Sequence, residues 1–286
     1  MSEEFNPVTR KKWISYNSLS KKSNKPKTPE KTLEKADPPV DVDKFLMRLD
    51  VLRDRMEECE YFTEAMATLK ESFLKLQYGE VIGTKIVPNR LVCFGLGQFT
   101  RNYQALHQLA FVLCTLEFLD IDEAIFFDPA FSKSEIEALE KLSCKVMKEN
   151  CEGKFKADVY TIFYMPHCPN CLTNNLLWKN WSPELLKHVI LINNSFESLS
   201  CSKPDRLLRL DANYIMDIMY DGGVEMPLED DYTVQNVFND LSVHVFPPSH
   251  LSKKPEFWAN KQEPKYNETD TGDMISAEEF AKLSIA

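Results

Sequence analysis

Between residues 90 and 196, short apolar runs alternate with segments of helical period, and this alternation constrains the fold more than any other feature of the chain. The runs are RLVCF (90–94), EAIFFDP (123–129), KVMKEN (145–150), DVYTIFYMP (158–166) and HVILINNSF (188–196). Between them lie YQALHQLAFVLCTLEFL (103–119), SKSEIEALEKL (132–142) and NCLTNNLLWKNW (170–181). Strands that are apolar without alternation need cover on both faces. The order therefore predicts a Rossmann-like α/β domain, a mostly parallel sheet with helices on both faces. Right-handed crossovers bring the strand C-terminal ends to one edge, where open α/β sheets bind ligands.

The special residues of the chain fall at that edge. Gly95 and Gly97 follow the first run, Asp128 the second, His167 and Cys168 the fourth, and Asn193, Asn194 and Ser195 the fifth. Gly95-Leu96-Gly97 could bring backbone N–H groups and a helix N-terminus up to an anion, or it could be a tight turn. A dinucleotide fingerprint wants glycine at position 100, which is Thr100, and a nucleoside-methyltransferase loop wants it at 99, which is Phe99. Asp128 is placed to accept hydrogen bonds from ribose hydroxyls, or to close an Asx turn before Pro129. In MPHCPNC (165–171), a helix N-terminus and His167 are expected to lower the pKa of the Cys168 and Cys171 thiols. A redox dithiol, half of a zinc site and a haem-thiolate contact all remain open there, beside semi-buried structural thiols. Zinc would need two further ligands, and no second C-x-x-C or H-x-x-x-H is present. NNSF (193–196) offers amides and a hydroxyl to a ligand, or a helix cap.

Outside this region the sequence changes character. Residues 1–40, rich in Lys, Ser, Asn and Pro, bury too little apolar area to offset ordering entropy and are expected to be a disordered basic tail. The first 35 residues carry a charge of +5, which leaves −15 for the rest of a chain of net charge −10. Such an acidic body disfavours nucleic-acid binding. Residues 41–80 have apolar positions three and four apart, from Phe45 to Leu76, and form one long helix or two. No run of about 18 apolar residues is present, so no membrane helix is expected. MSEEFNPVTRKKW lacks an apolar signal core, and the expected location is the cytoplasm or the nucleus. In that setting the eight Cys are thiols or ligands. ETDTGDMISAEEF (268–280) echoes half of a calcium loop, but a capped C-terminal helix is the simpler reading.

CFGLGQF, QLA (108–110), FFDPAF, EG (152–153), FYMPHC, NNLLWKNW (174–181) and NNSF, in this order and spacing, resemble the sensitivity-to-red-light-reduced (SRR-like) domain family. The likeness covers about residues 88–200, with a weaker echo at VHVFP (243–247). It divides the chain into the tail, the helical segment, an SRR-like α/β domain over 85–250 and a C-terminal extension over 251–286. It implies a regulatory protein of circadian-clock input and of haem biosynthesis, working through protein partners, with no settled catalytic reaction. Gly95, Gly97, Asp128, Pro129, Pro166, His167, Cys168, Asn175, Trp181, Asn194 and Ser195 are its motif positions here. Haem or an adenosyl compound is the expected ligand, with Gly95, Gly97, Asp128, His167, Cys168, Asn194 and Ser195 as candidate contacts. The alternatives are an adenosylmethionine-dependent methyltransferase and a non-catalytic scaffold whose crevice is filled by its own Phe99 and Phe131.

Overall fold

The computed structural model describes residues 40–77, 86–259, 261–266 and 274–284. The expected disordered tail lies outside them. Two helices open the described chain, α1 (Val42–Glu57) and α2 (Glu60–Gln77). They break at Glu58 and Cys59, so the helical segment is a pair. There follow β1 (Arg90–Phe94), α3 (Tyr103–Leu119), β2 (Glu123–Phe127), α4 (Lys133–Lys141), β3 (Lys145–Val146), β4 (Thr161–Met165), α5 (Asn170–Lys179), α6 (Pro183–Leu186) and β5 (Val189–Asn194). Then come α7 (Phe196–Ser202), α8 (Asp205–Asp211), α9 (Asn213–Tyr220), β6 (Val224–Pro227), β7 (Leu241–Val245), α10 (Pro255–Ala259) and α11 (Ala277–Ser284).

The strands form one seven-stranded sheet in the order β3-β2-β1-β4-β5-β7-β6. The first five are parallel; β7 runs antiparallel to β5, and β6 antiparallel to β7. Successive side chains leave opposite faces of the sheet. Leu91, Cys93, Ile162, Tyr164, Ile190 and Ile192 pack under α1, α2 and α3. Val92, Phe94, Phe163, Met165, Val189 and Leu191 pack with residues of α5 and α9. This two-sided burial explains the unbroken apolar runs. It also explains α3, apolar nearly all round, whose residues Ala105 to Thr115 are all buried. The Tyr61 ring of α2 stacks on Phe238 with centroids 4.5 Å apart.

From β1 the chain winds outward to β2 and β3, then crosses back to lay β4 on the other side of β1. The strand order reverses between β1 and β4, and a crevice opens at such a point beyond the strand C-termini. The third strand is much shorter than KVMKEN, because only Lys145 and Val146 pair with β2 at the sheet edge.

The β1–α3 loop is held by a residue the motifs do not include. Glu135, fully buried in the first turn of α4, accepts from Thr100 N and Thr100 Oγ1, each at 2.9 Å, and from Ser132 N at 2.8 Å. Ser132 Oγ accepts from Glu135 N in return, completing a capping box. Glu135→Ala leaves three donors without their carboxylate and is expected to cost about 3 kcal/mol in urea unfolding. Glu135→Gln keeps one acceptor oxygen and loses less.

Candidate functional site

Gly95 joins three strand ends. Its N–H donates to Phe127 O of β2 at 3.3 Å, and its own strand's Phe94 O accepts from Cys168 Sγ at 3.4 Å. With φ +69 it sits in the left-handed region, and a Cβ built there would collide with Cys168 Sγ. Only glycine lets the MPHC turn seat its thiol on the end of β1. Gly97 (φ +74) has open space where a Cβ would stand. Its N–H donates to Asp128 Oδ2 at 2.8 Å, while Asp128 Oδ1 accepts from Ala130 N at 2.7 Å. Asp128 thus makes the Asx turn and also clamps the glycine loop. Burial raises its pKa, the two N–H donors lowering it in opposition.

His167 adopts φ +55. Its N–H donates to Asn194 Oδ1 at 2.6 Å, so Asn194 at the end of β5 fixes the turn that ends β4. Ser195 caps α7, accepting from Ser198 N at 3.0 Å. Gly95, Asp128, His167 and Cys168 line a cavity of about 240 Å³ with Phe94, Phe127 and Leu172. His167, Cys168, Asn194 and Ser195 line a second one of about 340 Å³ beyond β4 and β5. His167 and Cys168 are the wall between the two. Gly97 lines neither.

The thiols behave opposite to expectation. Burial pushes Cys168 far above its ordinary value, helped by Asp128 and Cys171. Burial likewise pushes Cys171 up to about 11. Desolvation outweighs the α5 N-terminus, so both sulfurs stay protonated at neutral pH and a reactive thiolate is not formed. Among the described residues no group of three His, Cys, Asp or Glu could hold a metal ion. The Phe99 and Phe131 rings pack together, centroids 5.6 Å apart, with Phe99 equally close to Phe45 of α1. Neither lines the crevice, so the alternative in which these rings fill it is not found. Met274 and Ile275 of the C-terminal extension line it instead. Glu279, which would stand at the last ligand position if 268–280 were half of a calcium loop, is the capping partner of Ser276, accepting from its N–H at 2.9 Å; residues 268–273 lie outside the described chain.

Other participants come from the amides of NNLLWKNW and from residues outside the strand edge. Tyr266 Oη donates to Asn175 Oδ1 at 2.9 Å, and Asn174 Nδ2 donates to Tyr266 Oη at 3.0 Å. The paired amides of NNLLWKNW therefore receive the C-terminal extension. Asn174 Oδ1 also accepts from Tyr214 N at 2.7 Å, supplying the cap that Ala212 cannot give α9. Behind Asn194, His244 Nε2 lies 3.2 Å from Asn194 O, and the imidazole stacks on Phe196 with centroids 3.8 Å apart. Ser242 Oγ donates to Glu225 Oε1 at 2.9 Å, and Glu225 Oε2 stands 4.0 Å from His244 Nδ1.

The SRR1 domain matches residues 68–245. The chain belongs to the SRR1 domain family. An SRR1-like protein of Drosophila melanogaster is 39% identical over 284 residues, covering 96% of each chain. An SRR1-like protein of Mus musculus is 38% identical over 170 residues, 58% of this chain and 68% of that one. Protein SENSITIVITY TO RED LIGHT REDUCED 1 of Arabidopsis thaliana is 30% identical over 152 residues, 52% of this chain and 55% of that one. Among solved structures, the plantazolicin methyltransferase BpumL overlaps loosely, with TM-score 0.33 and 11% identity over 72% of this chain and 99% of its own. A Podospora anserina methyltransferase gives TM-score 0.33 and 10% identity over 73% and 97%. In this SRR1 domain the matched span runs from α2 through β7 and contains every motif position of the strand edge.

Burial keeps the His244 imidazole neutral and brings its pKa down from 6.5 to about 4, against the pull of Glu225. The unfolded chain takes up a proton that the folded one refuses, so stability is lost as pH falls from 6.5 toward 4. The unfolding free-energy difference between wild type and His244→Gln is expected to shrink by about 3 kcal/mol from about pH 7 to about pH 4. Urea titrations at the two pH values measure it.

Proposed function

We propose that this SRR1-domain protein is a regulator that binds a small ligand at the ends of β1 and β4 and reports its occupancy to protein partners. The observation that carries the reading is the cavity at the point where the strand order reverses. Four residues from three strand ends converge there, Gly95, Asp128, His167 and Cys168. Phe94, Phe127 and Leu172 supply apolar walls, and Asp128 supplies charge. Each Asp128 oxygen accepts one backbone N–H. A carboxylate offers about four lone-pair sites, so acceptor capacity remains for a hydroxyl or amide donor. The matching ligand is compact, mostly apolar and carries at least one such donor.

An adenosyl compound meets the donor requirement through its ribose hydroxyls. It is larger than a cavity of about 240 Å³, and would have to displace part of the wall or extend past His167 into the neighbouring space. Haem does not fit. The cavity lies below the usual 300–1,000 Å³ of ligand sites, and the Cys168 Sγ is turned onto Phe94 O. The methyltransferase reading is weakened because the Gly97 N–H, which a cofactor cradle would present, is spent on Asp128.

The Arabidopsis relative is named for sensitivity to red light. Carried to this chain, that name supports a regulatory output in light or circadian-clock input. Control of haem biosynthesis is then a second output of the same regulator, and the cytoplasm and nucleus are its places of action. The test is to compare native and denatured masses of the protein purified from its own cells. A bound species released on unfolding is expected. Leu172→Phe, which fills the cavity and spares the Asp128 hydrogen bonds, should reduce its occupancy by about tenfold. A clean apo mass from wild type, or full occupancy in Leu172→Phe, would overturn the reading.

A further inference from the structure

The cavity at the strand edge has a wall that belongs to no element of the sheet. Residues 274–284 run beside it, with Met274 and Ile275 in its lining. Ile275 O accepts from Asn150 Nδ2 at 2.7 Å, and Ala277 N–H donates to Glu152 Oε1 at 2.8 Å. The Phe280 ring meets Phe127 edge to face at 5.3 Å, and Met274 Sδ stands 3.5 Å from Cys171 Sγ. Met274 and Ile275 thereby become part of the cavity lining.

These contacts differ in kind from those that hold the sheet. Among the described residues the segment makes no strand pairing, and of α11 it is Phe280 that packs against the core of the α5 and α9 layer. Met274, Ile275 and Phe280 are only partly buried, and Glu278 and Glu279 of α11 are exposed. α11 carries its own start signal: Ser276 Oγ accepts from Glu279 N at 3.2 Å, and Glu279 Oε2 accepts from Ser276 N. Its cap is thus local, and of its first N–H groups the body supplies an acceptor to that of Ala277. A segment whose described residues are at most half-buried and join no strand opens toward the low end of the stability range.

We propose that residues 274–284 are a gate on the ligand cavity. In the closed state Met274 and Ile275 limit the ligand to a compact molecule. Opening exposes Cys171 and the Phe127 ring and admits a larger one. The proposal rests on the cavity being a ligand site for its purpose, but not for its test.

The test is thiol labelling of the full-length protein with iodoacetamide, read peptide by peptide by mass spectrometry. Cys171 is the reporter because it is 1% exposed beneath Met274. Exposed Cys201 sets the reagent's intrinsic rate, and buried Cys93 and Cys144 report global unfolding. Ala277→Pro removes the N–H that binds Glu152 at the first helical position, where proline leaves the helix intact. Phe280→Ala removes the ring contact with Phe127. Cys171 labelling relative to Cys201 is expected to rise about tenfold in the double variant, and by less in Ala277→Pro alone, with Cys93 and Cys144 unchanged. An unchanged Cys171 rate would overturn the gate. So would a parallel rise at Cys93 and Cys144, which would make the segment part of the global fold. An apo protein in the mass comparison would sink the ligand reading and leave this result untouched, and a protected Cys171 would do the reverse.

Discussion

The seat of the Cys168 sulfur on the Cα of Gly95 is the contact on which the strand edge depends. It brings the turn after β4 against the end of β1, while the Gly95 N–H reaches the end of β2. Three neighbouring strand ends are thus fixed by one residue without a side chain. The clamps around it follow in order. Asp128 takes the Gly97 N–H, Glu135 takes Thr100, and Asn102 caps α3 by accepting from Ala105 N. The loop that could have been a phosphate cradle is thereby committed to carboxylates of its own chain. The Gly97 and Thr100 N–H groups are spent on those carboxylates, and what the cavity offers a ligand is an acceptor and an apolar wall. That inversion separates this site from an anion-binding glycine loop.

The amides of α5 do a comparable job on the opposite layer. Asn174 caps α9, Asn175 holds Glu152 O, and Asn180 holds Ala157 N and Phe155 O. All three are buried, and each bonds backbone groups that irregular segments would otherwise leave unmet. Asn194 does the same for His167 at the end of β5. Much of what reads as a polar functional motif in NNLLWKNW and NNSF is a set of backbone supports. The motif positions that face open space are fewer: Asp128, His167 and Cys168 above all.

Periodicity made the centre of the fold legible. The runs at 90–94, 123–129, 158–166 and 188–196 contain β1, β2, β4 and β5, whose apolar side chains are covered on both faces. The β6–β7 hairpin stayed hidden. Val224–Pro227 is a half-exposed strand ending in proline, and β7 buries Ser242 and His244 where a pattern reader expects apolar side chains. The gate segment was legible as a capped helix but not as a wall, since Met274, Ile275 and Phe280 are scattered among acidic residues and their partners lie over a hundred positions away. The thiol shifts were misjudged for a plain physical reason. A helix N-terminus and a neighbouring His are visible in sequence, whereas the depth of burial that overrides them is a property of the packed fold. Glu135 was hidden in the same way, a helix-face carboxylate whose loop partner comes from another strand end.

The most direct measurement is a double-mutant cycle on Gly95 and Cys168. Gly95→Ala forces a Cβ into the sulfur and holds alanine at a left-handed φ. Its cost in wild type should be about 3 kcal/mol in denaturant unfolding. In a Cys168→Ala background the sulfur is gone and the remaining Cβ lies 3.9 Å from the new one, an ordinary contact. Only the backbone strain of about 1–2 kcal/mol should then remain. Equal costs in the two backgrounds would show that the two strand ends are not coupled through this contact, and the account of the site built on it would fail.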